Sequence, residues 1–138
     1  MRRVEPWALS PGNGVRFGPQ DDVMAAGEGV ETMLSLRMAM PTMSMIAASS
    51  AAHLAALNPP LRLRRLYIAV DRDAAGRNAA ARLAERLSAR SIEIIQLKPQ
   101  RKDFNDDLVA DGPDMLRVRL ADQFIADDRQ RFLSVSGR

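Results

Sequence analysis

Short, unbroken apolar runs alternate along the chain with longer amphipathic stretches. Apolar runs of this length are typical of strands that are buried on both faces of a sheet. They predict four strands, at residues 23–26, 43–48, 66–70 and 92–97. The amphipathic stretches predict helices at residues 30–40, 51–57, 75–90 and 114–133, and a polar loop at residues 102–108 runs into a further helix that ends at Gly112-Pro113. The alternation of strand and helix predicts an α/β fold, with a parallel four-stranded sheet flanked by helices.

The first 21 residues differ from the rest because proline and glycine interrupt every short apolar piece. This composition predicts an irregular hairpin, with two edge strands, at residues 7–9 and 15–17, around the Pro-Gly-Asn-Gly turn at residues 11–14. We therefore predict three segments: an N-terminal arm over residues 1–21, a central domain over residues 22–112, and a C-terminal helix with its tail over residues 113–138.

The composition excludes several classes of protein. No window reaches the roughly 18 uninterrupted apolar residues of a membrane span, and no signal-peptide core follows Met1. We therefore expect a cytoplasmic location and no membrane partner. The chain has no cysteine and a single histidine, His53, which excludes thiolate zinc sites and multi-histidine metal centres within these residues. Any metal must be bound by oxygen ligands.

Positive charge is concentrated in one part of the chain. The formal net charge is only +3, but most residues that carry the excess lie between positions 62 and 102, and the sequence pI is about 10.1. A basic belt of this kind fits a polyanion that is held by its phosphates. The alternative is a solvated helix face, on which arginine is also common.

Acidic residues follow three of the predicted strands. Asp71 and Asp73 end the strand at residues 66–70, and their side chains point the same way if the strand continues to Asp73. Glu28 follows the first strand, while Asp103 and Asp106 follow the last. The carboxyl ends of parallel strands meet at one edge of a sheet, and like charges held together there are stabilised by a hard cation such as Mg²⁺. Taken singly, each acid also fits an ordinary strand-ending turn or helix start.

The three acidic segments together resemble a known family. They read Gly-Glu-Gly-Val-Glu-Thr at residues 27–32, Ala-Val-Asp-Arg-Asp-Ala-Ala-Gly-Arg at 69–77, and Lys-Asp-Phe-Asn-Asp at 102–106. This pattern resembles the Toprim domain, the catalytic domain shared by bacterial-type primases, type IA and type II topoisomerases, and some nucleases and recombination proteins. It is most similar to the primase-like branch found in plasmids, phages and mobile elements. The resemblance implies the Rossmann-like Toprim fold.

The resemblance also implies roles for individual acids. Glu28 corresponds to the Toprim glutamate, which acts as a general acid or base and lies near the metal. Asp71 and Asp73 correspond to the acidic pair that holds Mg²⁺ or Mn²⁺ and takes part in catalysis. Asp103 adjoins the metal site in the primase branch, and Asp106 is a further candidate ligand.

The cations beside these acids are candidates for binding phosphate. They are Arg72, Arg77 and Lys102. The implied function is Mg²⁺-dependent phosphoryl transfer by a nucleotidyltransferase, with primer synthesis in a full-length primase. The implied partners are DNA or RNA, nucleotides, and a helicase or other replication protein.

Primases also carry a zinc-binding module and an N-terminal polymerase subdomain, and these residues contain neither. We therefore expect either a Toprim domain excised from a longer primase or a stand-alone Toprim protein, and no complete primer synthesis by this chain alone.

Other functions fit parts of the pattern. A stand-alone Toprim nuclease or topoisomerase-like enzyme would use the same acids, and a non-catalytic module would use the fold to bind nucleic acid or protein. Haloacid dehalogenase-type hydrolases and phospho-receiver modules also place acids after a buried strand, but theirs is usually the first strand, whereas Asp71 follows the third. Metal dependence separates the catalytic alternatives from a binding module.

Overall fold

A computed structural model describes residues 14–134 of the chain. Its strands are β1 (Val15–Phe17), β2 (Val23–Gly27), β3 (Met45–Ala47), β4 (Arg65–Ala69) and β5 (Glu93–Leu97). Its helices are α1 (Val30–Ala39), α2 (Ala51–Ala55), α3 (Ala74–Ser88), α4 (Phe104–Asp111), α5 (Pro113–Ala121) and α6 (Ala126–Asp128), followed by a π-helical turn, Arg129–Leu133.

The strands form one sheet in the order β1-β3-β2-β4-β5. Strands β2 to β5 are parallel to their neighbours, whereas β1 is antiparallel to β3. The predicted α/β fold is confirmed, but the sheet has five strands rather than four, because residues 15–17 pair with the otherwise open edge of β3. Residues 7–9, which were expected to form the other edge strand of a hairpin, lie outside the described residues.

Helices cover both faces of the sheet, as the unbroken apolar strands require. On one face, α1, α4, α5 and the segment after α5 enclose a core that includes Met33, Leu36 and Phe104. On the other face, α2 and α3 enclose a second core, which includes Leu54 and Leu83. No helix of residues 14–134 is long and apolar enough to cross a membrane.

The predicted single helix over residues 114–133 is wrong. Helix α5 ends at Ala121, and the chain turns before α6 and the π-helical turn. The turn places the Phe124 ring against the ring of Tyr67, with 4.0 Å between centroids. The guanidinium of Arg129 donates hydrogen bonds to the carbonyls of Ala121 and Phe124. The break after α5 thus buries the Phe124 ring, and the Arg129 guanidinium satisfies the carbonyls that the helix end leaves without a partner.

A buried carboxylate fastens this C-terminal segment to β4. Asp128, which is 1% exposed, accepts hydrogen bonds from the Tyr67 hydroxyl at 2.6 Å and from the Arg65 guanidinium at 2.9 Å. The same hydroxyl accepts one from the Ile125 N–H at 3.1 Å. Burial raises the pKa of Tyr67 well above its ordinary value, and the bond to Asp128 adds to this. Tyr67 therefore stays a neutral donor, and β4 is held at its middle.

Candidate active site

The site is centred on Asp71, which follows β4 at the carboxyl edge of the sheet. The preceding Val70 N–H still donates to the Leu97 carbonyl of β5, at 3.0 Å. Burial raises the pKa of the partly buried Asp71 carboxyl from 3.8 to about 6, and nearby negative charges contribute to the rise. Those charges belong to Glu28, Asp103 and Asp73; the positive charge of Lys102 opposes them. Acids at three strand ends therefore all contribute to the raised pKa of the Asp71 carboxyl.

Asp73 lies beside Asp71 for a reason that the strand pattern did not predict. Strand β4 ends at Ala69 and does not continue to Asp73; instead, Asp73 is the N-cap of α3. Its Oδ1 accepts a hydrogen bond from the Gly76 N–H at 2.6 Å. A Cβ at Gly76 would lie 3.0 Å both from the Asp71 carbonyl oxygen and from Asp73 Oδ1. Glycine therefore lets the helix start pack directly on the acidic turn.

Asp103 has the same local structure at the start of α4. Its Oδ1 accepts a hydrogen bond from the Asp106 N–H at 2.8 Å, so Asp103 is the N-cap of that helix. In both caps the Oδ2 atom accepts no hydrogen bond from residues 14–134, which leaves one oxygen of Asp73 and one of Asp103 for a ligand. Asp106 itself is exposed on the first turn of α4.

Glu28 follows β2 in the turn that leads to α1. Its carbonyl accepts a hydrogen bond from the Ser49 N–H at 2.7 Å, which ties this turn to the end of β3. Ser49 has a φ of 82°, a left-handed conformation that is uncommon for residues other than glycine. A Cβ at Gly27 would lie 2.5 Å from Met33 Sδ and 3.2 Å from Ala69 Cβ. Glycine at this position therefore brings the ends of β2 and β4 close together.

A family model describes most of this arrangement. The model of the Toprim domain matches residues 23–114, which include all three acidic strand ends. The chain belongs to the Toprim domain family. No curated protein matches it.

Two solved structures share the Toprim fold of this chain. The primase fragment of the bacteriophage T7 primase-helicase protein matches with a TM-score of 0.54 at 20% identity, over 74% of this chain and 43% of that one. The Aquifex aeolicus primase, with its zinc-binding and RNA polymerase domains, matches with a TM-score of 0.50 at 16% identity, over 75% of this chain and 26% of that one. The chain thus spans less than half the length of either protein, and at these identities the likeness shows the fold alone.

The donor atoms of this Toprim site fit a hard divalent cation, since every acid near Asp71 offers carboxylate oxygen. Within the described part of the chain, however, no three such side chains are already arranged to hold a metal ion. Burial, followed by the negative charges of the neighbouring carboxylates, raises the pKa of Asp71, and a bound cation would offset this cost. The chemistry of the site therefore fits a hard divalent cation such as Mg²⁺ or Mn²⁺.

The predicted phosphate-binding cations surround the acids. Arg72 donates a hydrogen bond to the Gln100 carbonyl at 2.7 Å, and its N–H donates to the Lys102 carbonyl at 2.8 Å, so the acidic turn is joined to the loop that carries Asp103. The side chains of Arg77 and Lys102 are exposed, and neither forms an ion pair with any residue in the 14–134 range. Both remain available for an anionic ligand.

One residue that matters for this loop was not predicted. Asp107 is 1% exposed, and it accepts hydrogen bonds from the N–H groups of Gln100 at 2.8 Å and Arg101 at 2.9 Å. The Arg101 guanidinium also contacts it at 3.2 Å. Asp107 thus fixes the loop that positions Asp103. A signal was present, because Asp107 is three residues after the buried Phe104 and so shares its helix face.

Proposed function

We propose that this Toprim domain performs Mg²⁺-dependent or Mn²⁺-dependent phosphoryl transfer on nucleic acid. We further propose that it is the nucleotidyltransferase domain of a primase-like protein, which synthesises primers in its full-length context. The observation that carries this proposal is the convergence of Glu28, Asp73 and Asp103 on Asp71. The two fold neighbours are named as a primase-helicase fragment and a primase, which supports the primase assignment and a helicase or replication partner.

The residues divide the work by their chemistry. Asp71, Asp73, Asp103 and Glu28 would hold one or two divalent ions, which neutralise the charge that develops on a transferring phosphoryl group. The two N-cap aspartates keep fixed orientations, because each has one oxygen bonded to its own helix. Glu28 is the candidate general acid or base, since its turn is held through its backbone and no residue between positions 14 and 134 bonds to its carboxylate.

The cations supply the phosphate contacts. Arg72 is anchored to the Gln100 carbonyl. Arg77 and Lys102 are exposed beside it and can each contact a phosphate oxygen directly. The substrate in this proposal is a DNA or RNA strand together with nucleotides.

Metal binding tests the proposal directly. Mg²⁺ and Mn²⁺ are titrated into the whole chain by calorimetry, comparing wild type with Asp71→Asn/Asp73→Asn. Asparagine is as good an N-cap as aspartate, so α3 should keep its start in this variant. The matched control is Glu85→Gln/Asp127→Asn, which removes two exposed carboxylates, one in the second half of α3 and one in α6.

Binding that disappears in the site variant and persists in the control supports a metal at the acidic pair. Assays of primer synthesis and of nucleolysis in the presence of the ion then separate polymerising from cleaving activity. If wild type binds neither ion, with or without an oligonucleotide, the catalytic proposal fails. A non-catalytic module that holds phosphates through Arg72, Arg77 and Lys102 would then be the better account, and its binding would fall steeply with salt.

A further inference from the structure

Strand β5 forms a free edge of the sheet, with a neighbour on one side only. It is the longer of the two edge strands, five residues against three in β1. The Glu93 N–H donates to a carbonyl just before β4 at 2.9 Å, and the Leu97 carbonyl accepts from the N–H just after β4 at 3.0 Å. Backbone groups alternate in direction along a strand, so those of Ile94 and Gln96 point away from β4. No residue in the 14–134 range bonds to them.

A side-chain amide already occupies the next position along this edge. Gln123 Oε1 accepts a hydrogen bond from the Lys98 N–H at 2.8 Å, and Gln123 Nε2 donates one to the Lys98 carbonyl at 3.0 Å. One residue of a neighbouring antiparallel strand would make the same two bonds. The edge therefore accepts amide partners, and the positions beside Ile94 and Gln96 are open to an extended peptide.

The two sides of this edge differ in chemistry. On the α3 side, the Gln96 side chain borders a cavity of about 360 Å³, whose charged lining is three cations and one carboxylate: Arg72, Arg77, Lys98 and Asp71. On the opposite side, the partly buried Ile95 packs against the core. Side chains of an added strand would alternate between these two sides. Acidic side chains fit the cationic side, and apolar side chains fit the side of Ile95.

The charge of α3 argues against a second copy of this chain as the added strand. Two β5 edges paired in antiparallel fashion would place both α3 helices on the same face of the joined sheet. Each α3 carries three exposed arginines and one exposed glutamate, namely Arg77, Arg82, Arg86 and Glu85. Like charges would therefore meet in a dimer, whereas an acidic peptide complements them.

We propose that the β5 edge binds an extended acidic segment of another protein, which adds a strand to the sheet beside Ile94 and Gln96. Main-chain hydrogen bonds hold the segment, and the cationic cavity selects its acidic side chains. Acidic and apolar residues alternate in such a segment. The contacts are made by backbone groups and by Lys98, so binding needs no divalent ion.

Amide hydrogen exchange of the whole wild-type chain, measured by NMR in EDTA, tests the proposal. The probe is an eight-residue peptide with blocked ends, in which valine and glutamate alternate. At saturation, the N–H groups of Ile94 and Gln96 should exchange at least about tenfold more slowly, because each gains an acceptor. The Glu93 N–H, which is already bonded next to β4, is the internal reference.

Variants separate the backbone contact from the side-chain contacts, with the labelled peptide followed by fluorescence anisotropy. Gln96→Pro removes an N–H that the fold does not use, and proline is tolerated at such edge positions. It should weaken binding by at least about tenfold. The matched control, Gln96→Ala, keeps the N–H and should bind like wild type. Circular dichroism checks that both variants are folded, and the exchange experiment decides the question without them.

Charge is tested at Lys98. Lys98→Glu should weaken binding of the valine-glutamate peptide and strengthen binding of a peptide in which valine and lysine alternate. The control is Arg82→Glu, an exposed position of α3 outside the cavity lining. At about 0.15 M salt, where charges are screened over about 8 Å, this control should bind both peptides like wild type.

The proposal is wrong if the valine-glutamate peptide does not bind, or binds without slowing exchange at Ile94 and Gln96. It is also wrong if Gln96→Ala weakens binding as much as Gln96→Pro, or if wild type binds the valine-lysine peptide equally well. A dimer in sedimentation that Gln96→Pro dissociates would assign the edge to a second copy instead. Slower exchange at Ile94 and Gln96 with a single-stranded oligonucleotide, and not with the peptide, would assign it to nucleic acid.

Discussion

Replacing Asp71 by asparagine should stabilise the metal-free protein, because the site concentrates negative charge that the fold must tolerate. Asparagine has nearly the same shape as aspartate and carries no charge. The change removes the burial of an ionised group and its repulsion by Glu28, Asp103 and Asp73. Catalytic sites commonly sacrifice stability in this way.

The magnitude follows from the pKa of Asp71. A rise from 3.8 to about 6 corresponds to about 3 kcal/mol between the protonation states. Asp71 is partly exposed and the asparagine amide also loses hydration, so we expect a gain of about 1 kcal/mol in the free energy of unfolding at about pH 8.

The sign of the pH dependence is fixed by the raised pKa. The folded state holds the Asp71 proton more tightly than the unfolded state. The stabilisation of wild type by this proton is therefore fully present below about pH 4. It is lost as the pH rises through about 6. The gap between Asp71→Asn and wild type should therefore be near zero at about pH 4 and open between about pH 4 and 6.

Urea denaturation in EDTA, followed by circular dichroism, measures this gap. The control is Glu85→Gln, an exposed carboxylate of α3, which should change stability by less than about 0.5 kcal/mol. Saturating Mg²⁺ should then stabilise wild type and not Asp71→Asn, since a ligand stabilises only the state that binds it. A variant that is less stable than wild type at about pH 8, or equally stabilised by Mg²⁺, would refute the reasoning.

Three further changes test other contacts of the fold, two beside the site and one at the opposite edge of the sheet. Asp107→Ala leaves the partly buried N–H groups of Gln100 and Arg101 without their acceptor and should cost about 1 to 3 kcal/mol in urea denaturation; a loss below about 0.5 kcal/mol would contradict the assigned contacts. Gly76→Ala should lower stability by about 1 kcal/mol and weaken Mg²⁺ binding by displacing Asp73, although alanine is the better helix former; a more stable variant would show that the turn can relax. The hydrogen bond from Arg64 holds the pKa of Asp22 well below its ordinary value, so its stabilisation is present above about pH 4 and lost in acid. Asp22→Asn should therefore be less stable than wild type at neutral pH, by less than about 1 kcal/mol, and equal to it in strong acid. A difference in stability that stays constant over that pH range would show that the Asp22 carboxylate is not the source of the pH dependence.

The sequence pattern alone predicted the strands that are buried on both faces of the sheet, because an unbroken apolar run of this length is typical of such strands. The apolar run at residues 66–70 predicted a buried parallel strand, and β4 occupies Arg65–Ala69 between the parallel strands β2 and β5. Because chemistry at such sheets gathers at the strand ends, the position of Asp71 followed from the same run. The Gly-Glu-Gly segment was placed correctly for the same reason, at the end of the adjacent strand β2.

Partners distant in sequence decided the rest. Residues 15–17 were predicted as an edge strand, but only the fold decided that they pair with the edge of β3. The break after Ala121 depends on Tyr67, more than fifty residues earlier, whose ring and hydroxyl receive Phe124 and the Ile125 N–H. No periodicity within residues 114–133 contains that information.

The same distinction holds within the site. The sequence by itself determined that acids follow three parallel strands and that their ligand chemistry is oxygen, since strand burial and residue type are local properties. Only the tertiary structure decided that Asp73 caps a helix, that Asp107 is buried while its neighbour Asp106 is exposed, and that Lys98 shares a cavity with Asp71. These outcomes depend on which side chains and N–H groups meet when β4, β5, α3 and α4 pack together, and that is settled by the fold as a whole.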